Sequence, residues 1–214
     1  MSRRIDELDE SSQARLPCED VLRILAEYRR DDEIVVTNQM SARVWPAFSE
    51  HELDFNYLSS TMGGAIPLAL GLALAKPELQ VIVLSGDGSL LMNLGCLATV
   101  VASNIENLTV VLLDNGLYEV TGGQQTAGSL AKVDFAAIAR GCGIENSIAV
   151  QNAEHWRELI SKRRTKCAIQ FYAIKVDRIS PATPRNSTTK VDEKIKALRE
   201  RLTQKSVAHR QQSC

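Results

Sequence analysis

No stretch of this 214-residue chain approaches the ~20 consecutive apolar residues that span a bilayer. Residues Met1 to Glu10 are charged and lack the apolar core of a secretory signal. An excess of charge of one sign is missing too. The 25 Lys and Arg against 26 Asp and Glu leave a net charge of −1, so composition gives no reason to expect a nucleic-acid or membrane partner. The cysteines are few and scattered: Cys18, Cys96, Cys142, Cys167 and Cys214, an odd number with no Cys-x-x-Cys. That spacing argues against a zinc site or a cysteine-ligated iron–sulfur cluster. Cys96 sits in an apolar, helix-like stretch and reads as a small core residue. Only three histidines occur, His51, His155 and His209, far apart in polar surroundings, and they read as surface residues. The expectation is a reduced, cytoplasmic protein.

What is present is the pattern of one α/β domain. The hydrophobic fraction, 44%, is ordinary for a globular protein. Glu33–Thr37, Gln80–Ser85, Leu108–Leu113, Ser147–Val150 and Ala168–Val176 are apolar strands, and Asn56–Ser59 is a further short one. Between and before them, Pro17–Arg30, Gly63–Ala75, Leu90–Ser103, Phe135–Arg140 and Ala153–Arg163 have helix character. Strands apolar along their length that alternate with helices predict a doubly wound, mostly parallel sheet of about six strands with helices on both faces. The expected organisation is a polar arm over residues 1–16, the domain over 17–179, and a linker and charged tail with helical character over 180–214.

Two of the buried strands end in unusual loops, Ser85-Gly86-Asp87-Gly88-Ser89 and Asp114-Asn115-Gly116-Leu117-Tyr118. In open α/β sheets ligands bind outside the carboxyl ends of strands, often where strand order reverses. Glycines beside Asp87 let backbone amides approach an anion closely, and the helix that follows favours phosphate at its start. A carboxylate beside a phosphate calls for a cation between them. Magnesium suits this, because it takes oxygen ligands and commonly bridges a protein carboxylate and ligand phosphates. Gly-Asp-Gly alone is no more than a tight turn. The second loop makes the case: Asn115 follows Asp87 by 28 residues, the length of one crossover to a neighbouring parallel strand.

Gly86-Asp87-Gly88-Ser89 followed after that interval by Asn115 resembles the motif that binds thiamine diphosphate (ThDP). The longer runs Gly86–Thr99 and Leu113–Thr126 resemble phosphonopyruvate decarboxylases and the β-chains of sulfopyruvate decarboxylases, as do Ser60–Ala65 and Asp134–Gly143. The similarity covers roughly Glu33 to Val176. It implies that Asp87 and Asn115 bind magnesium through their side chains and Leu117 through its carbonyl. Gly86, Gly88 and Ser89 would hold the diphosphate, and Thr37 would approach it after the first strand, although Asn38 stands where a glycine often follows. Met62 would lie beneath the cofactor, the carbonyl of Ser60 would face its amino group, and Thr121 and Gly122 would close over it. Tyr118, Glu119 and Gln124 read first as an exposed turn. Arg43 and Lys132 are candidate contacts for an anionic substrate tail.

The same resemblance implies that the glutamate that activates ThDP belongs to a pyrimidine-binding domain. That domain needs well over a hundred residues. The stretch before Glu33 is too short for it and the tail after Ser180 too polar, so the catalytic glutamate is expected on a partner chain. The resulting expectation is the ThDP- and Mg2+-binding subunit of a 2-oxo acid decarboxylase, inactive alone, in a hetero-oligomer with self-association. The alternatives are a subunit of an acetolactate-synthase-like carboligase and a non-catalytic ThDP-binding subunit.

Overall fold

The structure, a computed structural model, describes residues 15–57, 60–163, 168–184, 193 and 195–203. In chain order the elements are α1 (Cys18–Glu27), β1 (Glu33–Asn38), α2 (Gln39–Val44), β2 (Asp54–Tyr57), α3 (Ala65–Ala75), β3 (Gln80–Gly86), α4 (Asp87–Met92) and α5 (Cys96–Ala102). They continue with β4 (Leu108–Asp114), the two-residue strands β5 (Leu117–Tyr118) and β6 (Gln124–Gln125), α6 (Ala127–Leu130), α7 (Phe135–Gly141), β7 (Asn146–Val150), α8 (Ala153–Lys162) and β8 (Gln170–Lys175). Six strands form one sheet in the order β2-β1-β3-β4-β8-β7, and every neighbouring pair is parallel. β5 and β6 form a separate antiparallel hairpin in the loop after β4. The expected doubly wound sheet is therefore observed.

Alternate residues of the central strands feed two cores. Ile34, Val36, Val81, Val83, Val110 and Leu112 pack under α3, α5 and α7. Val35, Ile82, Leu84, Val111 and Leu113 pack under α1, α2 and α8. Strands buried on both faces explain the continuous apolar runs seen in sequence. Crossovers that step towards β7 run through α3, α5 and α7, and those that step back run through α2 and α8. That division follows from right-handed connections. α1 shows its sequence pattern directly, with Val21, Leu22 and Leu25 fully buried.

Three elements differ from expectation. The helix expected over Leu90–Ser103 is two helices, α4 and α5, broken at Asn93-Leu94-Gly95, where Asn93 turns its side chain to donate to the Gly63 carbonyl at 3.1 Å. The stretch after β1, to which the sequence assigned no element, contains α2, too short to show a periodicity. Leu16, assigned by sequence to the polar arm, forms a parallel bridge to Val176. The rest of that arm, to residue 14, lies outside the described residues, as do residues 185–192 of the expected linker and 204–214 of the tail. Residues 195–203 are helical as the sequence suggested, and despite their charge Leu198 is buried in the core beneath α3. Cys96 is a buried core residue, as expected, whereas His51 and His155 are half-buried; Cys167, His209 and Cys214 lie outside the described residues.

One buried ion pair ties β1 to the end of α8. The Arg163 guanidinium donates through Nε to Glu33 Oε1 at 3.0 Å, and both side chains are essentially without solvent contact. Removing one member leaves an uncompensated buried charge, so Glu33→Ala is expected to cost about 3–5 kcal/mol of stability. Urea unfolding measures this, and a loss below about 1 kcal/mol would show that Arg163 finds other acceptors.

Candidate functional site

Strand order reverses between β1 and β3: the chain leaves β1 for β2 on one side and leaves β3 for β4 on the other. Such a switch point opens a crevice at the carboxyl ends of the strands. A cleft partly open to solvent lies there, and Asn38, Met62, Asp87, Ser89, Asn115 and Glu119 are among its walls. Gly86 pairs with Leu113 on the last rung between β3 and β4, so Asp87 and Asn115 emerge side by side from adjacent strands.

Asp87 is the first residue of α4 and is 1% exposed. The Thr126 hydroxyl donates to its Oδ2 at 2.7 Å. Burial pushes its carboxyl up to about 6, against the lowering effect of the Thr126 bond, and the nearby Asp114 carboxylate adds to the rise. A cation would relieve both causes. Among the described residues no three His, Cys, Asp or Glu side chains are grouped to hold a metal. A metal at Asp87 would therefore depend on amide, carbonyl and ligand oxygens, which suits magnesium with a diphosphate.

The neighbouring hydroxyl is set up for an anion. Ser89 Oγ accepts from Asn38 Nδ2 at 3.1 Å and from the Gly63 amide at 3.0 Å. With both lone pairs engaged, the Ser89 hydroxyl proton is left to be donated. Asn38 is 1% exposed and its Oδ1 lacks a hydrogen-bond partner among the described residues, a buried acceptor in the cleft wall that a donor from a ligand or water would satisfy. Gly88 makes a close approach possible. A Cβ there would lie 2.6 Å from the Tyr118 ring.

The second loop is cross-linked by its own hydrogen bonds. Asn115 Oδ1 accepts from the Leu117 amide at 2.9 Å, and its Nδ2 donates to Glu119 Oε2 at 2.9 Å. The hairpin closes through Thr126 N–H to the Gly116 carbonyl at 2.9 Å, and Thr126 then caps α6 by accepting from the Ser129 amide.

Of the residues singled out by sequence, Met62, Gly86, Asp87, Gly88, Ser89, Asn115, Leu117 and Thr121 line the cleft. Ser60 is not among the wall residues; its carbonyl accepts from Gln39 Nε2, itself on the wall, at 3.1 Å. Gly122 sits at the exposed hairpin tip with φ 128°. Thr37 is not on the wall: fully buried, it donates its hydroxyl to Asn56 Oδ1 at 2.8 Å, and Asn38 faces the cleft instead. Tyr118 and Glu119 prove to be wall residues, whereas Gln124 is exposed. Arg43 and Lys132 are exposed and absent from the wall, so neither serves the cleft as drawn. Sequence reasoning missed Thr126, whose place before a short helix carried a capping signal, and Cys18, which joins the wall from the start of α1.

A parallel sheet with a crevice at its switch point is the arrangement of a ligand-binding α/β domain. Residues 35–170 match the model of the thiamine pyrophosphate enzyme C-terminal TPP-binding domain, and the chain belongs to that family. Phosphonopyruvate decarboxylase of Streptomyces viridochromogenes is 44% identical over 121 residues, which are 56% of this chain and 30% of that protein. Sulfopyruvate decarboxylase of Methanosarcina acetivorans is 38% identical over 142 residues, 66% of this chain and 36% of that protein. The chain thus spans about a third of the length of these relatives. Sulfopyruvate decarboxylase subunit beta of Methanococcus maripaludis is 33% identical over 141 residues, and there the match covers 66% of this chain and 74% of the relative. The solved structure of benzoylformate decarboxylase from Polynucleobacter necessarius superimposes with a TM-score of 0.63 at 18% identity, covering 84% of this chain and 36% of that one, a likeness of fold. Among the described residues no helix is long and apolar enough to cross a membrane.

Proposed function

We propose that the chain is the diphosphate- and magnesium-binding subunit of a ThDP-dependent 2-oxo acid decarboxylase, and that a second polypeptide supplies the pyrimidine-binding domain with its activating glutamate. The observation that carries this reading is the convergence of a buried carboxylate, an oriented amide and a hydroxyl with a proton to donate at one switch point: Asp87, Asn115 and Ser89. Similarity to separately encoded β-subunits supports the two-chain assembly. Similarity to phosphonopyruvate and sulfopyruvate decarboxylases supports a 2-oxo acid with an anionic tail. The scattered cysteines support a cytoplasmic location.

Asp87 would give the cation its charged ligand, Asn115 Oδ1 and the Leu117 carbonyl would add neutral oxygens, and the cofactor's diphosphate would complete much of the shell. The Ser89 hydroxyl would donate to a diphosphate oxygen. Met62 would lie under the cofactor between its two ends, and the Ser60 carbonyl retains a lone pair for an amino group. Bound ThDP supplies the carbon nucleophile and electron sink for loss of carbon dioxide; the chain supplies position and electrostatics. The diphosphate end would be held here and the aminopyrimidine end would face the partner.

An assay on the highly purified chain, over several 2-oxo acids with ThDP and magnesium, tests this. No aldehyde release is expected from the chain alone, and turnover is expected when the partner is added. Turnover with no second polypeptide detectable by mass spectrometry would overturn the two-chain reading, and acyloin without aldehyde would point to the carboligase alternative.

A further inference from the structure

We infer that Glu119 is a positioning residue for the metal site: it fixes the direction of the Asn115 side-chain amide so that oxygen, not nitrogen, is presented to the cation. The inference rests on the magnesium site proposed above. An asparagine amide has two ends of nearly equal shape and opposite polarity, so a site that uses one of them must prevent the flip. Glu119 Oε2 accepts from Asn115 Nδ2 at 2.9 Å. An ionised carboxylate has no proton to give, so only the nitrogen end can face it. At the other end the Leu117 amide donates to Oδ1 at 2.9 Å, and only the oxygen can face that donor. Reversing the amide would set oxygen against carboxylate and N–H against N–H. Oδ1 accepts through one lone pair and keeps the second for a cation.

Glu119 is itself held in place. Its side chain is 6% exposed, and its other oxygen accepts from Arg178 Nε at 3.3 Å, a guanidinium that follows β8 and is 59% exposed. The Asn115 contact is thus made by a carboxylate enclosed in the cleft wall, while the arginine lies largely in solvent, where it contributes little.

Partners that orient metal ligands are typically worth on the order of 10- to 100-fold in metal affinity. The test is calorimetric titration of MgCl2 into the full chain with its partner at saturating ThDP, with circular dichroism to verify folding. Glu119→Ala is expected to weaken magnesium by about 10- to 100-fold. Glu119→Gln, whose Oε1 still accepts from Asn115, should stay within about 10-fold of wild type, and Arg178→Ala should leave affinity nearly unchanged. The deciding measurement uses Asn115→Asp as a second background. There two carboxylates oppose each other, and Glu119→Gln restores a donor–acceptor match. Glu119→Gln should therefore weaken magnesium binding in the Asn115 protein and strengthen it in the Asn115→Asp protein. A residue that merely stiffens the loop would not produce that reversal of sign. The same direction of change in both backgrounds overturns the inference, even if Glu119→Ala fails to fold. Asp87→Ala, run alongside, separates the two levels: loss of binding there with no reversal at Glu119 rejects only the positioning role, whereas unchanged binding there rejects the metal site itself.

Discussion

Asp87→Ala is expected to abolish magnesium-dependent ThDP binding, with an affinity loss of at least about 100-fold. The carboxylate is the one charged ligand that the chain itself would give the cation. Removing it leaves a diphosphate and a divalent ion in a pocket that holds Asp87 itself at 1% exposure. Breaking a buried charge pairing by deleting one side typically costs about 3–5 kcal/mol, and each 1.4 kcal/mol is about tenfold in affinity. The metal-free variant should keep the wild-type circular dichroism, because burial already works against the Asp87 carboxylate in the absence of a cation. Calorimetry with ThDP and magnesium on the assembled protein measures the effect. Unchanged affinity would remove Asp87 from the site.

The second large effect is expected from a single methyl group. In Gly88→Ala the new Cβ would lie 2.6 and 2.7 Å from two Tyr118 ring carbons and 3.3 Å from Thr126 Cγ2. Carbon atoms do not approach that closely, so either the ring swings away or the start of α4 recoils. The first displaces Leu117 and Glu119, which flank Tyr118; the second moves Asp87 and Ser89. Overpacking of this kind costs about 1–3 kcal/mol of stability. ThDP affinity should fall further than stability, by at least about tenfold, since every route of relief shifts a ligand-facing group. Adding Tyr118→Ala removes the ring and should recover the lost stability. Wild-type stability and affinity in Gly88→Ala alone would show that this approach is not required.

The sheet was legible in the sequence because its strands are buried on both faces. Gln80–Gly86 and Leu108–Asp114 are apolar or small along nearly their whole length, and no competing helical period exists there. Asp87 and Asn115 were legible because a fixed interval between two strand ends is a topological quantity. Side-chain direction at the end of a strand was not. Thr37 and Asn38 are adjacent, and one of them must turn into the cleft and the other away; a slip of one residue exchanges them. The register to β2, Thr37 opposite Asn56, decides the matter by giving Thr37 a partner across the strands. Gln39–Val44 escaped notice because six residues make too little helix to repeat, and the chain enters it through Gln39 at φ 53°. Glu119 looked like an exposed turn residue because a partner that encloses it, Arg178, lies 59 positions away in sequence.

The bridge between Leu16 and Val176 fastens the segment that enters α1 beside the end of β8. The Leu16 amide donates to the Lys175 carbonyl at 2.9 Å, the Asp177 amide donates to the Leu16 carbonyl at 2.8 Å, and Arg15 reaches the carbonyl of Asp114, the residue before Asn115. The chain entering at residue 15 is thus moored against the end of β8, beside the rim of the cleft, where Val176 is a wall residue. A pyrimidine-binding domain joined ahead of residue 15 through a short flexible linker would start close to the surface it has to meet. Its effective concentration would be about millimolar, which can exceed what two free polypeptides reach by diffusion. Covalent fusion and two-subunit assembly would then differ for this domain mainly in the entropy of encounter, with the same contacts made in either case.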